Sequence, residues 1–320
     1  MKSDWRIAVV IPCYRVKAHI LEVLAQMPDV VQRIYVVDDA CPQDSGAWVQ
    51  QHCVDERVRV LRHTENRGVG GAVVTGYGQA VAEDMDVVVK VDGDGQMDPA
   101  LIPRFVKPIV QGQADYTKGN RFYRPESFQS MPKLRRFGNL ALSFMTKFSS
   151  GYWPNMDPTN GYTAVSVKVL QALPLEKLSR RYFFETDILF RLNTIRAVVR
   201  DVPMEAVYGE EVSNLKISSV LPEFLRGHLV RSAKRYVYSY LIRDFSIGSL
   251  YSLVGALFLL FGALFGGSHW LHSIVTGIAS SNGTVMLAGM SVLIGVQFLI
   301  AFLHYDVGNV PSVPITDALD

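Results

Sequence analysis

The stretch KVDGDGQMDP, residues 90–99, decides the reading of this chain. It closes an apolar run, Val87 to Val91, and then sets Asp92, Asp94 and Gln96 at alternating positions with Gly93 and Gly95 between them. The glycines allow tight backbone curvature. Carboxylate and amide oxygens gathered this way suit a hard divalent ion such as Mg2+ or Mn2+, and Mg2+ is commonly held by one or two carboxylates together with substrate phosphates. A diphosphate-bearing donor is the partner this implies. DGDGQ also matches part of a calcium-binding EF-hand loop, but the flanking helix pair and the Glu at loop position twelve are missing. A solvated acidic turn is the plain alternative, since D-x-D alone is a weak string.

Working outward, β-prone apolar runs occur at Ile7 to Ile11, Ile34 to Val37, Val58 to Leu61 and Val87 to Val91. Helix-prone stretches separate them: Lys17 to Met27, Ser45 to Cys53 and Val69 to Ala82. Strand alternating with helix, the strands nearly continuous in apolar residues, predicts an α/β domain with a parallel sheet covered on both faces. Ligands of such sheets bind outside the carboxyl ends of the strands. The polar residues there are Pro12 and Tyr14, Asp38 and Asp39, and Asp92, Asp94 and Gln96. Beyond Pro99 the pattern predicts a helix over Ala100 to Gln111 and a strand near Asp115 to Lys118. A basic helix over Lys133 to Phe148, a turn at Asp157 to Gly161 and a helix over Glu185 to Arg196 follow. The glycine-dense NRGVGGAVVTG, residues 66–76, follows the third strand and lacks G-x-G-x-x-G spacing, so it predicts close helix packing on the sheet rather than a dinucleotide cradle.

Taken in order, VVIPCYR, YVVDDACPQDSG, NRGVGGAVVTGYGQA, VDGDGQMDP, DPTNGYTAV and FFETDILFRL resemble glycosyltransferase family 2 from about residue 5 to 216. The fold the resemblance implies is a GT-A nucleotide-sugar domain. With two apolar segments following, the chain looks like the polyprenyl-phosphate glycosyltransferase branch, which uses Mg2+ or Mn2+, a UDP- or GDP-sugar donor and a polyprenyl phosphate acceptor. By resemblance, Pro12, Tyr14 and Asp39 surround the nucleoside, with Asp39 accepting from the base, while Asp38 supports the strand end. Asp92 lies near the ribose and diphosphate; Asp94 and Gln96 hold the metal, with Asp92 as a further candidate ligand. Arg121, Arg135 and Arg136 match basic residues near the phosphates, a task suited to the planar guanidinium fork. A solvated helix face or a lipid-headgroup contact is the alternative for Arg135 and Arg136. YGEEVSNLK, residues 208–216, resembles the loop that closes over the donor, with Ser213 and Lys216 as phosphate contacts, or is ordinary linker. Two departures are visible: Tyr14 is followed by Arg15 and Val16 where P-x-Y-N-E is usual, and DGDGQ replaces DADLQ.

In FFETDILFRL, Glu185 and Asp187 occupy the place where related enzymes put an acceptor base. A sugar hydroxyl needs one. A phosphate monoester is already a dianion near neutral pH, because its second pKa is about 6. For a lipid phosphate, positioning and charge neutralisation carry the catalysis. Asp157 and Asp187 are the acceptor-side candidates, and with the metal ligand Asp94 and with Arg121 they make up the expected catalytic set; Asp157 alternatively organises its turn. The competing reading is a polysaccharide synthase with a hydroxyl acceptor, a class that normally adds a Q-x-x-R-W motif and more spans. A nonenzymatic sugar-nucleotide-binding membrane protein is the third.

Composition divides the 320 residues sharply. From Phe245 to Tyr305 there is no Asp, Glu, Lys or Arg, while all 32 Lys and Arg precede that run. Such a chain is neither disordered nor a disulfide scaffold. Phe245 to Gly267 and Thr284 to His304 are each long enough to cross a hydrocarbon core of ~30 Å. The intervening GGSHWLHSIVTGIASSNG suits water or an interface. Lys216, Arg226, Arg231, Lys234, Arg235 and Arg243 crowd the approach to the first span, which by the positive-inside rule places both termini in the cytosol. Leu221 to Arg243 predicts an interfacial amphipathic helix, with Leu221, Phe224, Leu225, Leu229, Tyr236 and Tyr240 facing lipid and Arg226, Arg231, Lys234 and Arg235 opposite; packing on the catalytic domain is the alternative. Three cysteines without metal-site spacing predict reduced cytosolic thiols, and the short apolar stretch ending at Pro12 is no signal peptide. The expected organisation is a cytosolic catalytic domain over 1–216, a juxtamembrane helix over 217–244 and a two-helix anchor with a cytosolic tail over 245–320. Membrane lipid is an expected partner, nucleic acid is not, and a homo-oligomer is allowed.

Overall fold

The apolar runs of the front half become strands because their side chains are buried on both faces. In the computed structural model, which describes residues 5–123, 133–205 and 217–319, these are β1 (Ile7–Cys13), β2 (Val31–Asp38), β3 (Val58–Arg62) and β4 (Val87–Lys90). Helices α1 (Ile20–Ala25), α2 (Ser45–His52) and α3 (Gly68–Ala82) alternate with them. α3 lies close on the sheet: a side chain on Gly76 would begin 2.4 Å from a Val10 methyl. This accounts for Gly76, whereas Gly68 and Gly70, expected against the sheet, face another segment: side chains there would begin 2.5 and 2.3 Å from the carbonyl oxygens of Arg180 and Ser179.

The second half completes a seven-stranded sheet of order β3-β2-β1-β4-β6-β5-β7. It contributes α4 (Ile102–Val110), β5 (Tyr116–Asn120), α5 (Lys133–Ser150), β6 (Thr163–Ser166), α6 (Val167–Ala172), α7 (Phe184–Thr194) and β7 (Val199–Pro203). The sheet is mixed, where the sequence predicts a parallel one: β6 runs antiparallel to both β4 and β5. At four residues and led by a turn, β6 gives no periodic signal of its own. The strand order reverses at β1, which has β2 on one side and β4 on the other. A doubly wound sheet opens its ligand crevice at this point. The core beneath it is built from Val9, Ile11, Val36, Val89, Phe105 and Tyr162, all fully buried.

By internal packing the chain forms two units, Met1–Ser232 with Pro311–Asp320, and Ala233–Val310. The division falls inside α8 (Ile217–Tyr236). Within the first unit α8 packs through Phe224, His228 and Arg231 on Phe183, and Arg231 pairs with Asp187 at 2.6 Å. Arg231 therefore turns inward, not onto a solvated polar face, while Leu225 and Leu229 stay exposed. The tail belongs to this unit as well. Asp115, wholly buried, accepts from the backbone N–H groups of Val198, Ile315 and Thr316 and from the Thr316 hydroxyl, at 2.6–3.0 Å.

The second unit is a helical hairpin, α9 (Ile247–Thr276) and α10 (Asn282–Gly308), each long and apolar enough to cross a membrane. Leu257 and Leu293 are 67% and 70% exposed, as lipid-facing residues are and residues of a soluble core are not. Gly255 and Gly295 let the backbones approach: a side chain on Gly295 would begin 2.9 Å from the Gly255 carbonyl oxygen. The segment GGSHWLHSIVT, expected outside the bilayer, continues α9 as helix, because no proline interrupts it. The helix stops at Gly277, which takes the left-handed conformation at φ 68°. At the other end Arg235 is buried against Asp306 in a two-pronged ion pair at 2.7 and 2.8 Å, joined by the Tyr240 hydroxyl. Arg235 and Tyr240 thus face a protein partner, where the sequence pattern sets them on opposite faces of an interfacial helix.

Candidate active site

Four loops at the carboxyl end of the sheet build the site. After β1, Tyr14 is 42% exposed and Arg15 adopts a left-handed φ of 59°, its backbone N–H donating to Cys41 Sγ at 3.0 Å. Arg15 also lies over the Tyr14 ring at 5.4 Å. After β2, Asp38 ties down its own loop by accepting from the N–H groups of Cys41 and Gly46 at 2.8 and 2.7 Å, the supporting role expected for it. Asp39 is buried. Its Oδ1 meets His63 Nδ1 at 2.7 Å and accepts from Arg67 N–H, and its Oδ2 accepts from Gly68 N–H at 2.7 Å. Asp39 therefore holds the start of α3, where the anionic carboxylate also suits the positive end of the helix. This arrangement engages both of its oxygens with protein groups.

The 92–98 loop leaves β4 with Asp92, Asp94 and Gln96 all partly exposed. Asp94 Oδ1 accepts from Gln96 N–H at 3.0 Å, which curls the loop so that its polar side chains share one turn. Asp92 Oδ1 is 2.8 Å from Lys90 Nζ. Among the described residues there is no group of three His, Cys, Asp or Glu that could hold a metal by itself. Asp94 with Gln96, and one remaining oxygen of Asp92, are oxygen donors of the kind a hard cation takes when substrate phosphates supply its other ligands. The residues fit that use.

Across the sheet, Arg121 follows β5 and grips Asp157 through Nε and an Nη at 2.7 and 2.6 Å. Asp157 sits at φ 55° in the turn before β6 and is 1% exposed. Burial alone would raise its carboxyl, but Arg121 outweighs that and holds it below the usual carboxylate range. Below this pair, buried Lys118 reaches Asp201 at 3.2 Å, and Asp201 also accepts from Asn120 and Asn155. Asp187, wholly buried in the first turn of α7, accepts from Ser179 N–H and from both Arg191 and Arg231. Asp157 and Asp187 are thus both neutralised by arginine, and they do not come together. Glu185, two residues before Asp187, reaches the end of β4: it lies 3.6 Å from Lys90 Nζ. Burial pushes the Glu185 carboxyl up and Lys90 offsets part of that rise. The backbone of α5 carries Arg135 and Arg136, whose side chains lie outside the described residues, as do Ser213 and Lys216 altogether.

Sequence and structure comparisons place the chain in a family. Residues 8–173 match the family model for glycosyl transferase family 2. The chain belongs to that family. It is a glycosyltransferase with a GT-A fold. Among curated relatives, it is 30% identical over 210 residues to the undecaprenyl-phosphate mannosyltransferase of Micrococcus luteus, covering 64% of this chain and 85% of the relative. It is 28% identical over 222 residues to the UDP-N-acetylglucosamine–dolichyl-phosphate N-acetylglucosaminyltransferase of Methanococcus voltae, covering 65% and 88%. The fold is shared with glucosyl-3-phosphoglycerate synthase of Mycobacterium tuberculosis, solved with Mn2+, UDP and glucosyl-3-phosphoglycerate. The TM-score is 0.56 at 19% identity, over 72% of this chain and 81% of that one. In this glycosyltransferase the 92–96 loop lies at the carboxyl end of the sheet, beside the point where the strand order reverses.

Proposed function

We propose that the protein transfers one sugar from a UDP- or GDP-sugar to a polyprenyl phosphate at the cytoplasmic face of a membrane, by a single inverting displacement. The observation that carries the acceptor assignment is the state of the acceptor-side carboxylates. Asp157 is gripped by Arg121, and Asp187 by Arg191 and Arg231. A carboxylate already paired with a cation is a poor base for a sugar hydroxyl, whereas a phosphate dianion arrives deprotonated. The relatives named for dolichyl and undecaprenyl phosphate favour the same acceptor.

In this reading an oxygen of the lipid phosphate bonds to the anomeric carbon while the bond to the donor's diphosphate breaks on the opposite face. Tyr14 offers a ring at the mouth of the nucleoside crevice, and Asp39 fixes the wall behind it. Asp94 and Gln96 would hold Mg2+ or Mn2+, which when bound would supply positive charge for the departing diphosphate. Arg121, pre-set by Asp157, presents its guanidinium edge to phosphate oxygens without the entropy cost of ordering it afresh. Arg135, Arg136, Ser213 and Lys216 are assigned to phosphate contacts by family resemblance.

The tail supports a topology with both ends of the hairpin on one side. Residues 315 and 316 donate into buried Asp115, so the segment after α10 folds with the catalytic unit, and a folded unit does not straddle a bilayer. A crowd of Lys and Arg before α9 makes that side cytoplasmic. The test is to supply labelled nucleotide sugars with and without polyprenyl phosphate, and to follow label into a lipid-extractable, acid-labile product. Equal label in the absence of the lipid phosphate contradicts the proposal.

A further inference from the structure

We infer that Lys90 is a positioning residue that locks the donor loop to the acceptor helix, so that the sugar is released to the acceptor and not to water; this rests on the transfer reading above. Lys90 ends β4 and is 1% exposed, in a strand otherwise made of valine. A buried ammonium is costly unless it is paired and enclosed. Here it is 2.8 Å from Asp92, which opens the metal loop, and 3.6 Å from Glu185, in the first turn of α7. Those two carboxylates sit 93 positions apart in the chain and have this one ammonium between them.

The lid of this knot is Gly161, at the end of the Asp157 turn. A Cβ there would lie 2.3 Å from Lys90 Nζ and 2.7 Å from Asp92 Oδ2. The end of β4, the start of α7 and the turn that carries Asp157 therefore all converge on one nitrogen. Without the ammonium, Asp92 and Glu185 lose the one group that both approach, and the donor loop loses its tie to the acceptor side. A displacement of this kind, near 1 Å, costs about a hundredfold in transfer, while attack by unpositioned water is not penalised in the same way.

The experiment uses the full-length protein in lipid nanodiscs and measures, at saturating donor, both sugar transfer to polyprenyl phosphate and sugar release to water. Lys90→Met removes the charge. Gly161→Ala leaves every charge in place and pushes the ammonium aside with one methyl group, and Lys90→Arg restores the charge. The expected result is a release-to-transfer ratio raised at least about tenfold in Lys90→Met and Gly161→Ala, with partial recovery in Lys90→Arg. A lysine that only stabilises the fold would lower transfer and release together and leave the ratio unchanged, which overturns the inference. If Lys90→Met does not fold, the Gly161→Ala ratio decides. A wild-type protein that neither transfers nor releases sugar from any UDP- or GDP-sugar contradicts the transfer reading itself and the inference with it.

Discussion

Thr316 donates its backbone N–H to Asp115 at 2.9 Å across 201 positions of sequence, and its hydroxyl donates to the same carboxylate oxygen at 2.6 Å. Asp115 leads into β5 and Thr316 follows the second apolar helix, so the chain leaves the catalytic unit, forms the hairpin and returns. Hydrogen bonds to a charged group contribute about 1.5–3 kcal/mol each. Thr316→Val should therefore lower the stability of the catalytic unit by about 2 kcal/mol, and Asp115→Ala by more, because it takes the acceptor from three N–H groups at once. Thermal unfolding followed by near-ultraviolet circular dichroism reads both changes. A cysteine placed at Ser312 should react with impermeant thiol reagent only from the side that carries the catalytic unit; labelling from the opposite side would refute the return of the tail.

A second prediction concerns acid. His228 is buried between Ser149 and Phe183, and burial lowers it to about 4 from an ordinary value of 6.5. The unfolded histidine binds its proton first, so folding stability from this group is complete above about pH 6.5 and falls as pH drops toward 4. The loss amounts to roughly 3 kcal/mol and falls on the packing of α8. His228→Phe should flatten the stability–pH curve in this window. An unchanged curve would show that the ring is solvated.

The outline of the site was legible in the sequence because it depends on strand ends. Apolar runs located β1 to β4, and the polar residues after them, Tyr14, Asp38, Asp92, Asp94 and Gln96, stand where that reading put them. Partnerships across the sheet were not legible. Lys90 meets Glu185 only because β6 inserts antiparallel beside β4 and returns the chain toward α7, and no local pattern in four residues announces that insertion. The same holds for Arg231 and Arg235. Helical spacing assigned them to a polar face, but each has a carboxylate from a distant segment, Asp187 or Asp306, that makes burial the better outcome.

A third prediction separates the donor loop from the scaffold. Asp94 and Gln96 are partly exposed, and Asp94 accepts from the Gln96 N–H within its own loop. Asp94→Ala should cut transfer by at least about a hundredfold, comparable with losing an electrostatic stabiliser of the leaving group, with little change in unfolding temperature. Gln96→Ala should weaken transfer less. Excess EDTA should abolish activity and added Mn2+ or Mg2+ should restore it; full activity in EDTA would contradict the metal assignment.

A fourth prediction contrasts the two arginine-paired acids. Asp187→Asn should keep transfer within about tenfold of wild type, because no proton must be removed from a phosphate dianion. It should cost on the order of 3 kcal/mol of stability, because Arg191 and Arg231 lose their counter-charge. Arg121→Lys should fold better than Arg121→Ala, which strands buried Asp157, yet should still lose most transfer, because a lysine lacks the fork that meets both carboxylate and phosphate. Initial rates measured beside melting curves distinguish lost chemistry from lost folding.

The most direct test of the central claim is the acceptor dependence of sugar transfer by the full-length protein in nanodiscs. Labelled UDP- and GDP-sugars are supplied in turn, with polyprenyl phosphate, with the corresponding polyprenyl alcohol, or with neither. The account predicts label in the organic phase for one donor, with the phosphate and not the alcohol, and inversion at the anomeric carbon of the product. Transfer to the alcohol or to a sugar hydroxyl at a comparable rate, abolished by Glu185→Gln or Asp187→Asn, would contradict it.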